Sequence, residues 1–129
     1  MELSVEISKN VIEEISHIIK YPINIMDRSG KILWSTDLTR IGSIHEAVKV
    51  MIAGNASSII VNETDDYLGS KEGINLSIES EQTIIGAVGL TGPVKDVEPY
   101  GLVIKKMIEV MLHHIYLTRR INEQELDRK

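Results

Sequence analysis

Three short segments carry side chains whose types and spacing could do chemistry. The first is Thr39-Arg40-Ile41-Gly42-Ser43-Ile44-His45-Glu46. An arginine just ahead of a helix start can grip a carboxylate through two parallel N–H donors. The helix start itself offers spare backbone N–H groups and about half a positive charge, which suits a carboxylate or a phosphate. His45, in the first turn, could add a donor to a ligand oxygen. A structural reading covers the same residues. Ser43 and Glu46 stand at the S-x-x-E spacing of a capping box, each side chain bonding the other's backbone N–H, and Arg40 alone reads more simply as a solvated loop residue than as a ligand clamp.

The second segment is Lys71-Glu72-Gly73-Ile74-Asn75-Leu76. Alternation puts Ile74, Leu76 and Ile78 on one strand face and Asn75 and Ser77 on the other. A carboxamide both donates and accepts, so Asn75 suits hydroxyls and carboxylates alike; the plainer alternative is a solvent-facing strand residue. The third is Gly86-Ala87-Val88-Gly89-Leu90-Thr91-Gly92-Pro93. No lysine follows its glycines and no helix opens directly from it, so it is not a phosphate loop. Gly86 and Gly89 mark bends or places where something approaches the backbone closely, and Thr91 is a strand-end hydroxyl.

Enzyme chemistry finds little to use. There is no cysteine, which removes disulfides, thiolate metal sites and a thiol nucleophile. His113 and His114 are sequential and face different sides of a helix, so they do not pair on one metal. His17 sits at the edge of an apolar helix face, and Asp65-Asp66 reads as a solvated loop tip. No metal set, no cofactor motif and no nucleophile–base pair emerges.

The elements that must hold these segments follow from periodicity. Ile7, Val11, Ile15 and Ile18, with Ile12 and Ile19 beside them, predict a helix within residues 3–20 that Tyr21-Pro22 ends. Ile23–Met26 and Lys31–Ser35, separated by Asp27-Arg28-Ser29-Gly30, predict a hairpin. A loop over 37–42 leads to a helix over 43–53, stopped by Gly54-Asn55. Strands are expected at 58–61, 74–78 and 83–90, with a polar loop over 62–72; the last strand is apolar on both faces and belongs mid-sheet. A final helix runs from about Val97 to beyond Leu117. It carries two apolar stripes, one of Val103, Met107, Val110, Leu117 and Ile121, the other of Ile104, Ile108, Met111 and Ile115. One can cover the sheet and leave the other for a partner helix. The fold expected is α+β: a five-stranded antiparallel sheet with flanking terminal helices and one helix after the first hairpin, as in PAS and Cache domains, with the GAF fold a near competitor.

Composition bounds the rest. A chain of 129 residues makes one domain, burying roughly two-thirds of its unfolded surface. The net charge of -5, with 14 basic residues scattered along the chain, argues against direct nucleic-acid binding. The N-terminus has no signal-peptide pattern and no apolar run approaches the ~20 residues of a membrane span, so a cytoplasmic protein with no membrane partner is expected. With no Phe, one Trp and four Tyr, the core must be built from branched aliphatics, which favour a sheet.

Taken together, Arg40-Ile41-Gly42-x-x-His45-Glu46, Lys71-x-Gly73-Ile74-Asn75-Leu76 and Ile85-Gly86-Ala87-Val88-Gly89-Leu90-Thr91-Gly92-Pro93 fall in the order and spacing of a known family. So do Asn24-Ile25-Met26-Asp27-x-x-Gly30 and Val97-x-Pro99-Tyr100. The sequence resembles the sugar diacid recognition domain, the N-terminal sensor of bacterial carbohydrate diacid regulators, over about residues 5–118. The resemblance implies a PAS/Cache-like sensing domain over 1–118, with 119–129 as the polar end of the last helix or a linker. It implies no cofactor, and a ligand such as glucarate, galactarate or glycerate. It also implies a helix-turn-helix output region elsewhere in such regulators. The ligand-binding positions it implies are Arg40, Ile41, Gly42, Ser43, His45, Gly73, Asn75, Gly89 and Thr91, with Lys71 at the rim and the N–H groups of 42–45 as an anion cradle. The sequence departs from the pattern at Glu72 and Ser77, where proline is expected.

Three functions are therefore weighed. A sensor binds a hydroxylated carboxylate under the 43–53 helix and signals through a homodimer of C-terminal helices. A scaffold dimerises without using its pocket. An enzyme would use His45 and Glu46 as acid and base.

Overall fold

The computed structural model describes residues 2–62, 67 and 69–127. The elements run α1 (Val5–Ile15), β1 (Ile23–Asp27), β2 (Ile32–Ser35), a 3-10 turn (Leu38–Arg40), α2 (Glu46–Ala53), β3 (Ser58–Val61), β4 (Gly73–Ser80), β5 (Thr83–Thr91) and α3 (Val94–Asp127). The five strands form one antiparallel sheet in the order β2-β1-β5-β4-β3. This is the arrangement expected, with doubly apolar β5 at the centre. The Asp65-Asp66 loop tip lies outside the described residues.

Each helix is placed by its apolar pattern. The α1 side chains Ile7, Val11, Ile12 and Ile15 are buried, and Ser4 caps the helix by accepting the Ile7 N–H. In α3, Ile104, Ile108 and Leu112 are buried. Both helices lie on one face of the sheet, over Ile23, Ile25, Ile74, Leu76, Ile78, Val88 and Leu90. Burying each such side chain contributes roughly 1.5–3 kcal/mol, so this aliphatic layer carries most of the stability. The second α3 stripe, Val103, Met107, Val110, Leu117 and Ile121, remains exposed.

The opposite face is covered by α2 and is composed differently. Its apolar part is small: Met26, Ile32, Ala87, Val48 and Met51, with Ile52 and Ile59 beside them. Strand register aligns the remaining positions on this face in rows, Ser35–Asn24–Gly89–Asn75–Ile59 and Thr91–Gly73–Val61. On β4 and β5 it therefore carries Gly73, Asn75, Ser77, Ala87, Gly89 and Thr91, all small or polar, while their neighbours on the helical face are Ile, Leu and Val apart from Gly86, which lies against Leu3.

The α2 boundary departs from expectation. The helix starts at Glu46, and its N-cap is His45, not Ser43. The reason is a local pairing that competes with the helix. Residues 42–45 run beside the start of β2: Gly42 N–H donates to Ile32 O (2.8 Å), Ile32 N–H to Ser43 O (2.8 Å) and His45 N–H to Gly30 O (2.8 Å). Gly42, at φ 89°, makes the turn that allows it. Ser43 Oγ donates back to Arg40 O at 2.6 Å, so no capping box forms. The last helix begins at Val94, slightly earlier than Val97, with Pro99 inside its second turn.

Candidate functional site

The sequence-derived positions gather in two groups around the α2 face. Strand register makes the first: Gly73 pairs with Thr91, and Asn75 pairs with Gly89. Asn75 is only 2% exposed, yet its carboxamide makes no side-chain hydrogen bond to any described residue. No polar side-chain atom on the described residues is both fully sealed and unpaired, so this carboxamide is not wholly cut off from water. Leaving such a group without a partner costs on the order of 1–3 kcal/mol, unless something else supplies one. Gly89 sits beneath it: a Cβ there would collide with Asn75 Oδ1. The close approach inferred from the glycine is thus made by the Asn75 side chain.

The second group surrounds the entry to α2. His45 is 2% exposed; its Nδ1 accepts from Val48 N–H (3.3 Å) and lies 3.1 Å from Ser70 Oγ, which itself accepts from Ala47 N–H (3.1 Å). Burial first, and then the positive charge of Arg40, push the His45 pKa down to about 4. The ring is therefore neutral near pH 7. With Nδ1 accepting, its proton sits on Nε2, which has no partner among the described residues. Arg40 ends the 3-10 turn and donates to Gly69 O at 2.6 Å. Burial lowers its pKa from the ordinary value, opposed by nearby Asp37. Lys71 is exposed and 3.8 Å from Asp37. The Asp37 carboxyl is held below its usual range by the Thr39 hydroxyl first, then by the Thr39 N–H. Arg40 and Lys71 both act on Asp37 at this rim.

One expectation is overturned here. The N–H groups of 42–45 do not form an anion cradle: those of Gly42, Ser43 and His45 donate to Ile32 O, Arg40 O and Gly30 O. The first turn of α2 is likewise closed by Ser70 and His45. Ile41 is half-buried with its N–H on Leu38 O (3.3 Å), and Ser43 is exposed. No hydrogen bond or ion pair among the described residues joins the rim group to the Asn75 row. Nor does any group of three or more His, Asp or Glu side chains among them converge as a metal site, and no helix among them is long and apolar enough to cross a membrane.

Sequence reasoning passed over Asn24, Ser35 and Ser70. Asn24 is 3% exposed and in register with Gly89 on the side opposite Asn75; Ser35 Oγ bonds its Oδ1. The signal was present, since Ile23-Asn24-Ile25 repeats the pattern of Ile74-Asn75-Leu76. Nothing in the sequence marks Ser70, whose role depends on where the preceding loop returns.

Known proteins bear on this geometry. The Carbohydrate diacid regulator of Escherichia coli (strain K12) is 33% identical over 111 residues, 85% of this chain and 29% of that protein. Protein YsfB of Bacillus subtilis (strain 168) is 30% identical over 107 residues, 82% of this chain and 29% of that protein. A Haemophilus influenzae protein is 29% identical over 118 residues, 87% of this chain and 31% of its own length. The chain thus spans about three-tenths of the curated relatives it matches. The family model described as sugar diacid recognition matches residues 3–129, and the chain belongs to that family.

Proposed function

We propose that this chain is the small-molecule sensing domain of a transcriptional regulator, binding a sugar diacid or related hydroxy acid without catalysis, in the cytoplasm. The observation that carries this reading is the asymmetry of the sheet. One face is sealed with branched aliphatics. The other carries Gly73, Asn75, Gly89 and Thr91 under α2, with a nearly buried carboxamide that the fold leaves unpaired. A hydroxylated ligand supplies what Asn75 lacks, and Arg40, Lys71 and the His45 Nε2–H supply positive charge and a donor for its carboxylate. Family membership and the name of the E. coli relative point the same way. Residues 1–118 form the sensing unit, and 119–129 are the polar end of the last helix or a linker. The exposed α3 stripe, with an apolar groove of about 650 Å³ along Leu102, Val103, Met107 and Val110, supports pairing with α3 of a second copy. A chain that stays monomeric at high concentration, with and without ligand, would remove that part.

The test is a thermal-shift screen with D-glucarate, D-galactarate, D-glycerate and adipate on wild type, Arg40→Ala and Asn75→Ala. A ligand at a hundredfold over its Kd stabilises by about 2.7 kcal/mol, a rise of several degrees for a domain this size. The expected result is a shift with at least one hydroxy acid, reduced in both variants. A flat wild-type screen removes the sensor reading and leaves the scaffold.

A further inference from the structure

We propose that Asn24 is a second ligand-reading carboxamide, and that it reads a hydroxyl group of an open-chain hydroxy acid lying across β1, β5 and β4. The inference rests on the sensor reading and deepens it. Asn24 is 3% exposed, on the face beneath α2. The row Ser35–Asn24–Gly89–Asn75 crosses four adjacent strands. At about 4.8 Å between strands, Asn24 and Asn75 stand roughly 10 Å apart at Cα, and Gly89 between them has no side chain of its own, which lets the Asn75 carboxamide lean over it toward Asn24.

The orientation of Asn24 is fixed by its neighbour. Ser35 Oγ accepts from the Asp37 N–H at 3.0 Å, so the serine hydrogen is the one it has to give. That hydrogen goes to Asn24 Oδ1. The acceptor end of the carboxamide is thereby occupied, and its two Nδ2 hydrogens are turned away from Ser35. They meet no acceptor among the described residues, and on the β5 side Gly89 offers no side chain to meet them. No side-chain N or O of the described residues is both fully sealed and unpaired, so this Nδ2 remains open to a small polar partner.

Chemistry then narrows the ligand. With one lone pair of its Oδ1 taken by Ser35, the larger free capacity of Asn24 is its two N–H donors, which suit an oxygen. Charge assigns which oxygen: the carboxylate is served by Arg40 and Lys71 at the rim, and a neutral amide deep on the sheet suits a neutral hydroxyl. Asn75, with both ends of its amide open, can donate to or accept from a second hydroxyl. Two amides in one strand row, with that of Asn75 leaning over Gly89, suit a short unbranched chain bearing hydroxyls. A site that hydrogen-bonds a hydroxyl discriminates against the analogue lacking it, because the amide is then left unpaired.

The experiment is calorimetric titration of wild type and Asn24→Ala with D-galactarate, D-glucarate and adipate, a diacid of the same chain length without hydroxyls. Asn24→Ala is expected to weaken the bound sugar diacid by about tenfold to a hundredfold. It should leave adipate, already weak, within about twofold, so that the preference for the hydroxylated acid collapses. Because Asn24→Ala also strips Ser35 of its partner and can unfold, the wild-type side-chain amide resonances of Asn24 are followed by 15N NMR during the same titration; they should shift on saturation. Unchanged sugar-diacid affinity in a folded Asn24→Ala, or unmoved Asn24 amide resonances in saturated wild type, overturns this assignment and leaves the sensor reading standing. Wild type that binds no probe overturns both.

Discussion

Lys105 on α3 donates to the backbone carbonyl of Ser77 on β4, with its Nζ 3.4 Å from the Ser77 hydroxyl. Strand β3 starts at Ser58, opposite Leu76; one step further on, the Ser77 N–H still reaches Ser57 O (2.9 Å), while its carbonyl is taken by the lysine. The ammonium also lies 3.0 Å from Glu109 and 3.5 Å from Glu79, and Glu109 accepts the Glu79 N–H at 2.7 Å. Ser77 is two residues along β4 from Asn75, on the same face. A strained or shifted β4 therefore has a polar handle on the long C-terminal helix, in addition to the apolar contact between Leu76 and Gly101.

Removing that handle should be costly. In Lys105→Ala the Glu109 carboxylate, 13% exposed at its side chain, loses the buried one of its two lysine partners and keeps only the exposed Lys106 at 3.4 Å, and the Ser77 carbonyl loses its donor. Breaking one partner of a buried pair costs about 3–5 kcal/mol, and the half-exposed Glu79 softens this to about 2–4 kcal/mol. The double variant Lys105→Ala/Glu109→Ala should be less destabilised than the two single losses added together. Urea unfolding of the four proteins measures it; additive losses would show that the network contributes nothing as a unit.

Two glycines on the sheet face beneath α2 should respond oppositely to a methyl group. At Gly89 the new Cβ meets Asn75 Oδ1, the far end of a side chain that can rotate away. Gly89→Ala should therefore cost about 1 kcal/mol or less in stability while displacing the carboxamide and abolishing a ligand-induced thermal shift. At Gly73 the new Cβ meets the Leu90 carbonyl oxygen, which is backbone and paired in the sheet. Gly73→Ala should cost about 2–4 kcal/mol and lower the melting temperature without ligand. Melting curves of both variants with and without D-galactarate check the pair. Equal destabilisation of the two would remove the distinction.

Much of this organisation was legible in the sequence. The alternation of Ile74, Leu76 and Ile78 against Asn75 and Ser77 gave the two faces of β4 directly, because a period of two leaves no other arrangement once one face is buried. Doubly apolar β5 could only sit mid-sheet. The start of α2 was hidden by a competition invisible to local rules. Ser43 has a good capping sequence, but residues 42–45 gain more hydrogen bonds beside Gly30 and Ile32, and His45 inherits the cap. The roles of Ser70 and Gly69 as partners of His45 and Arg40 depend on the return of a long loop, which spacing does not encode. Asn24 was within reach; its pattern matches that of Asn75, but only strand pairing reveals that the two flank the same glycine.

The buried His45 makes acid stability the last expectation. Its pKa of about 4 in the folded protein lies below the ordinary value of about 6.5 for an unfolded chain. Between these values the unfolded chain binds a proton that the folded one does not, so stability rises with pH across that window. The contribution is complete above about pH 6.5, is lost progressively as pH falls toward 4, and amounts to roughly 3 kcal/mol in all. Asp37 acts lower down: its depressed pKa contributes stability that persists above the ordinary carboxylate range and disappears in stronger acid, so it does not obscure the histidine window. Protonation would also place a hydrogen on Nδ1, where the Val48 N–H and Ser70 hydroxyl now point, breaking the α2 cap as well as burying a charge beside Arg40. His45→Asn retains a good capping acceptor without the titration. Urea midpoints measured between about pH 7 and pH 5 should therefore fall steeply for wild type and stay nearly level for His45→Asn. Parallel slopes in the two proteins would mean that His45 takes up its proton over the same pH range folded as unfolded, and the assignment of a buried ring with a lowered pKa would go.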